Sequence, residues 1–97
     1  MAKLYKNDKG FLIIQMNLVE ALLRCDIGNF CDNCNNRIDI AETDGYDDIY
    51  YIAVINRAVC KNCCEDFIKG YNKNPEDKSY EKSNYNRYAK LLNLEEI

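Results

Sequence analysis

Cysteine is the residue type in this chain with the most chemistry to offer, and five of the six copies fall between Cys31 and Cys64. The stretch opens Cys31-Asp32-Asn33-Cys34, runs for twenty-five residues, and closes Cys60-Lys61-Asn62-Cys63-Cys64. Two CxxC pairs at this separation are the pattern of a single four-thiolate zinc site, because each pair can place both sulfurs on one ion. Either Cys63 or Cys64 could complete the second pair, and the CxxC spacing favours Cys63. Cys64 then reads as a core residue, as does Cys25, since an unliganded cysteine behaves as a small buried hydrophobe.

The alternative use of these cysteines is a disulfide framework. Met1 to Lys6 lack the apolar core of a secretory signal, and the apolar run Phe11 to Ile14 is far too short to cross a membrane. A cytoplasmic location is therefore expected, where thiols stay reduced and metal binding outranks disulfides.

Histidine is absent from the chain. That excludes mixed cysteine–histidine zinc sites, histidine general bases and Ser-His-Asp triads. A zinc ion closed by four thiolates has no open position and no bound water to activate, so the site is expected to be structural and the chain not an enzyme. Glu65 follows the second pair, but the glutamate of zinc deaminases follows the first ligand in an HxE pattern that has no counterpart here. A redox role for either CxxC would call for a thioredoxin-like βαβ context. The formal charge is −3, and four thiolates with one divalent ion would take it to −5.

The elements that must position these sulfurs can be read in order. At 97 residues the chain is sized for one domain, small enough that a metal would supplement its core. Asn7 to Gly10 forms a polar, glycine-ended turn between Leu4-Tyr5-Lys6 and Phe11 to Met16. Phe11 to Ile14 suits a strand buried on both faces, with a buried helical segment as the alternative. Asn17 caps a helix, with Glu20 placed to reach back. Leu18, Val19, Ala21, Leu22 and Leu23 make that helix apolar around most of its circumference, and Gly28 is expected to stop it. Asn35 and Asn36 tolerate the left-handed backbone that a turn after Cys34 requires. Ile38 and Ile40 alternate like a strand, and an acidic loop follows from Glu42 to Asp48. Ile49 to Ile55 is the strongest strand signal. Asn56-Arg57 turns the chain, and Ala58-Val59 lead back to Cys60. A helix is predicted from Lys61 to Gly70 and another from Asp77 to Asn93, opened by Pro75. On the second, Tyr80, Tyr85, Tyr88, Leu91 and Leu92 share an arc of about 140°.

Turn with two cysteines, hairpin, then a cysteine pair entering a helix: in this order residues 31–70 resemble treble-clef zinc fingers, the group that includes LIM and RING-related domains. The resemblance implies Cys31, Cys34, Cys60 and Cys63 as ligands of one structural zinc. The resemblance covers under half of the chain; with the elements read on either side of it, a small single-domain α+β fold over residues 1–97 is expected, with an N-terminal strand-helix (1–28), a treble clef (29–70) and a C-terminal helix (71–97). The turn departs from the common knuckle, which carries proline or glycine near its cysteines. The strand-helix start, the phrase Tyr51-Ile52-Ala53-Val54-Ile55-Asn56 and the tyrosine-rich last helix also resemble short finger proteins of gut bacteria and their phages. That group implies no established activity.

Charge divides the surfaces. From Asp26 to Asp48 there are seven acids against the single base Arg37, whereas from Tyr71 to Lys90 there are five bases (Lys73, Lys78, Lys82, Arg87, Lys90) against three acids. Either run can be ordinary solvated surface. An acidic finger suits a basic protein partner, and on the phage-like resemblance a host defence nuclease is one example. The alternative is nucleic-acid binding through the basic residues of the last helix with Tyr71 and Tyr80.

Overall fold

A computed structural model describes residues 2–28, 30–35, 38, 48–72 and 75–97. Four short strands form one antiparallel sheet in sequential order: β1 (Lys3–Leu4), β2 (Ile13–Asn17), β3 (Asp48–Ile52) and β4 (Arg57–Val59). Three helices complete an α+β architecture: α1 (Leu18–Cys25), α2 (Lys61–Gly70) and α3 (Asp77–Leu91).

The sheet starts from a turn built by one side chain. Asn7 accepts from the amides of Lys9 and Phe11 through Oδ1 and donates through Nδ2 to the Phe11 carbonyl. Gly10 supplies the left-handed residue at φ 72°, which a side chain would resist. The chain then returns so that Leu4 faces Ile14 across the β1–β2 pair. Ile13 and Ile14 are both fully buried and belong to different hydrophobic clusters, so β2 is a strand covered on both faces.

One face carries Ile14, Met16, Ile49 and Tyr51 against Leu18 and Ala21 of α1 and Tyr85 and Ala89 of α3. The other carries Ile13, Tyr50, Ile52 and Val59 with Cys31 and Cys64, flanked by Phe67 and Ile68 of α2. Phe11, Phe67 and Tyr71 close that second layer, with Phe11–Phe67 centroids 5.1 Å apart and Phe67–Tyr71 stacked at 4.7 Å. Full burial of each such side chain contributes about 1.5–3 kcal/mol relative to exposure.

Asn17 caps α1 as expected, its Oδ1 accepting from the Glu20 amide at 2.8 Å. The Glu20 carboxylate takes the Ala2 amide at 3.0 Å, tying the chain start to the helix. Two expectations for α1 need correction. Only Leu18, Ala21 and Cys25 are buried, while Val19, Leu22 and Leu23 face outward, Leu23 at 77% exposure. An eight-residue helix against a sheet has one inner face, and an all-round apolar sequence does not say which it is. The stop is Asp26 in the left-handed region at φ 54°, two residues ahead of Gly28.

The strand expected through Ile55 ends at Ile52. Ala53 to Asn56 form the turn instead, with Asn56 left-handed at φ 54° and its amide bonded to the Ala53 carbonyl. Helix α2 has the expected bounds. Helix α3 and its end turn Tyr85, Tyr88 and Leu92 of the expected stripe to the core, joined by Glu81, Asn84 and Ala89, while Tyr80 and Leu91 are half exposed. The two polar members of the stripe serve backbone groups. Glu81 accepts the Leu12 amide at 3.0 Å and Asn84 donates to the Ala53 carbonyl at 2.9 Å, where the Ala53 amide itself bonds Leu12. This bracket docks α3 on the point where β2 begins and β3 ends. Of the strand expected at Ile38 and Ile40, Ile38 is buried but in no strand and Ile40 lies outside the described residues; of the acidic loop, 42–47 lie outside them and Asp48 opens β3.

Candidate metal centre

Cys31, Cys34, Cys60 and Cys63 converge, with all four sulfurs within 4.8 Å of one another. A tetrahedral ion with metal–sulfur bonds near 2.3 Å sets its sulfurs about 3.8 Å apart. The Cys34 and Cys60 sulfurs stand 4.0 Å apart. Among the described residues these four make up the one cluster of metal-ligating side chains, and they are the four the sequence nominates.

Each pair is delivered by a separate local device. The first lies in a tight turn closed by the Asn35 amide on the Cys31 carbonyl at 3.0 Å, with Asn35 left-handed at φ 61°. Asparagine there does the work glycine does elsewhere. Asp32 fastens the turn to β4 twice: its amide donates to the Ala58 carbonyl, and its Oδ2 accepts the Ala58 amide, both at 3.0 Å. The second pair straddles the start of α2. Cys60 is the residue just before the helix, in extended conformation, and Cys63 sits one turn in. The hairpin of β3 and β4 sets where that helix starts, through the Tyr50–Val59 and Tyr51–Ala58 pairings.

The donors around the sulfurs are arranged for negative charge. The amides of Asn33 and Cys34 approach Cys31 Sγ at 3.4 and 3.5 Å, and Asn33 Nδ2 donates to Cys63 Sγ at 3.3 Å. Burial alone would raise the Cys31 thiol, but amide donors from Cys34, Cys60 and Asn33 bring it down to about 7. At Cys63 the Asn33 donor works downward, yet burial and the Cys60, Cys31 and Cys34 sulfurs push the thiol up to about 12. Burial raises Cys60 as well. Four sulfurs this close resist ionising together, and a divalent cation at their centre supplies the charge that lets them. The donor set therefore fits one metal ion.

The neighbouring cysteines differ in kind. Cys64 is fully buried among Phe11, Tyr50 and Val59, and burial with nearby Glu65 holds its thiol up at about 12. Cys25, the last residue of α1, lies in the opposite cluster, its thiol also raised by burial. Neither belongs to the sulfur cluster. Sequence reasoning overlooked the roles of Asp32 and Asn33. Their position inside a CxxC was the available signal, since a polar residue there faces either the sulfurs or the strand beside them.

The basic strip proposed for the last helix is divided. Lys78, Lys82, Arg87 and Lys90 are exposed and Lys73 lies outside the described residues. Tyr71 is committed to Phe67 and Phe11, and its hydroxyl donates to Asp77 at 3.2 Å. No helix among the described residues is long and apolar enough to cross a membrane. Comparison with protein-family models, curated proteins and solved structures found no match to this chain.

Proposed function

We propose that this chain is a non-enzymatic module, stabilised by one structural zinc in a treble-clef arrangement, that presents surfaces to a protein partner. The convergence of the Cys31, Cys34, Cys60 and Cys63 sulfurs is the observation that carries the reading. Ligands scattered over thirty-three residues of sequence, from Cys31 to Cys63, meet only in the folded chain, so metal binding is coupled to folding. Thiolate softness and tetrahedral placement favour zinc. Four protein ligands leave the ion no position for a substrate, so activity lies on the surfaces that the ion holds in place. The order of turn, hairpin β3–β4 and helix α2 supports the treble-clef assignment. A basic partner suits the acidic character of the chain, and a defence nuclease of a phage host remains one example of such a partner.

Elemental analysis of purified protein tests the metal, with one zinc per chain expected. Chelation should then abolish the folded near-ultraviolet signal. Capture from a nuclease-treated lysate with zinc-loaded bait tests the interaction. Recovery of no protein, together with salt-sensitive retention on a nucleic-acid matrix, would transfer the function to nucleic-acid binding.

A further inference from the structure

A cleft of about 270 Å³ opens between the segment after α1, the β3–β4 turn and α3. Its lining includes Asp26, Ile27, Phe30, Asp32, Tyr51 and Tyr88, and among the described residues no lysine or arginine, though Arg87 adjoins it through Asn56 and Tyr88. Three aromatic rings and two carboxylates in a small concavity are the surroundings of a cation with a flat, weakly hydrated face.

The rings and polar groups are not equivalent. Tyr51 and Tyr88 pack against each other with centroids 4.1 Å apart. The Arg87 guanidinium lies over Tyr88 at 5.1 Å and donates to Asn56 Oδ1, which also accepts the Tyr51 hydroxyl. The polar groups of the inner wall of the cleft are thus already paired with one another. The wall also displays how this array receives a guanidinium: one ring beneath the plane, one oxygen at its edge. Phe30 is the ring left open, at 57% exposure. Asp26 and Asp32 are both exposed. Asp32 uses Oδ2 for the Ala58 amide, which fixes the carboxylate's direction and leaves it further lone pairs.

We infer that this cleft between Phe30, Asp26 and Asp32 is a recognition pocket for an arginine side chain of a partner protein. The inference rests on the protein-interaction reading above and names the chemistry of that contact. The guanidinium stacks on Phe30 and its edge donates to the Asp26 and Asp32 carboxylates. Lysine, a compact and strongly hydrated point charge, gains less from the ring and cannot fork between two carboxylates.

The test is a titration of the uniformly labelled, metal-loaded chain followed by amide correlation spectra. N-acetyl-arginine methylamide is the probe, with the corresponding lysine and glutamate derivatives alongside. Saturable shifts confined to residues 26–32, 51–58 and 87–89 are expected for arginine, weaker ones for lysine and none for glutamate. Asp26→Asn keeps a residue that tolerates the left-handed backbone and should weaken arginine binding about two- to fivefold. Phe30→Ala should weaken it by a similar factor. Each variant's metal content and remaining amide spectrum report whether it is folded, so lost binding is not confused with lost structure. Absence of saturable shifts in the metal-loaded chain, equal responses to lysine or glutamate, or unchanged affinity in both variants would overturn the pocket. The zinc-module reading would survive any of these results, because it is judged by metal content and chelation.

Discussion

Cys63 and Cys64 are adjacent in sequence, yet removing one sulfur or the other should give opposite results. Cys63→Ala deletes one corner of the sulfur cluster. Structural zinc supplies about 10–16 kcal/mol of apparent binding free energy at pH 7, comparable with the whole stability of a domain, about 5–15 kcal/mol. Loss of a corner should therefore drop metal content below one equivalent after gel filtration and abolish a sharp thermal transition. Cys64→Ala removes a sulfur of 1% exposure from the cluster of Phe11, Tyr50 and Val59. Its cost is transfer plus a small cavity, about 1–2 kcal/mol. For a chain of this size, that lowers the melting temperature by about 4–16 °C. Metal content should stay at one equivalent. Elemental mass spectrometry and circular-dichroism melting, with and without chelator, read both quantities. Retention of metal by Cys63→Ala together with its loss in Cys64→Ala would refute the ligand assignment. Full metal retention in both would refute the four-sulfur site.

Asn84→Ala removes the buried donor to the Ala53 carbonyl and should cost about 1–3 kcal/mol in chemical denaturation, with metal content unchanged. Asn17→Ala removes the cap of α1 and should cost about 0.5–2 kcal/mol by the same measurement. Tyr50 has its phenol raised to about 12, first by burial and then by Asp48. Its folded value exceeds the unfolded one near 10, so its stabilising contribution is intact below pH 10 and fades as pH rises toward 12. Denaturation midpoints should fall across that window, with less fall in Tyr50→Phe.

Where local chemistry decides a feature, the sequence is enough. The sulfur quartet and the Asn17 cap follow from residue type and spacing alone, because cysteine pairs and cap residues act within a few positions; α2 has the expected bounds, but Gly70 is its last helical residue and Tyr71 its cap. Features decided by distant contacts are harder to read. Nothing in Leu18 to Leu23 says that the sheet meets Leu18 and Ala21 and leaves Leu22 and Leu23 outside. Glu81 and Asn84 look like solvent-facing residues until Leu12 and Ala53, far away in sequence, present backbone groups to them. The apolar run Ile49 to Ile55 hides its turn, since only Asn56 carries a left-handed signal and the residues before it resemble strand. The turn, hairpin and helix that carry the sulfurs stand beside an N-terminal hairpin that shares one sheet with β3 and β4, and the twofold covering of that sheet lies in no single motif.

The double clasp between Asp32 and Ala58 has a meaning for the chain when its metal is absent. Strand β4 ends the sheet, and the outer rim of an end strand invites pairing with any passing extended chain. The turn that carries Cys31 and Cys34 occupies that rim, using one backbone amide and one carboxylate to fill the Ala58 positions. An ion held by Cys31 and Cys34 would grip the same turn. Its loss would loosen this cover and bare the rim, so such an ion would guard the protein against sticking to its own copies as well as holding its fold.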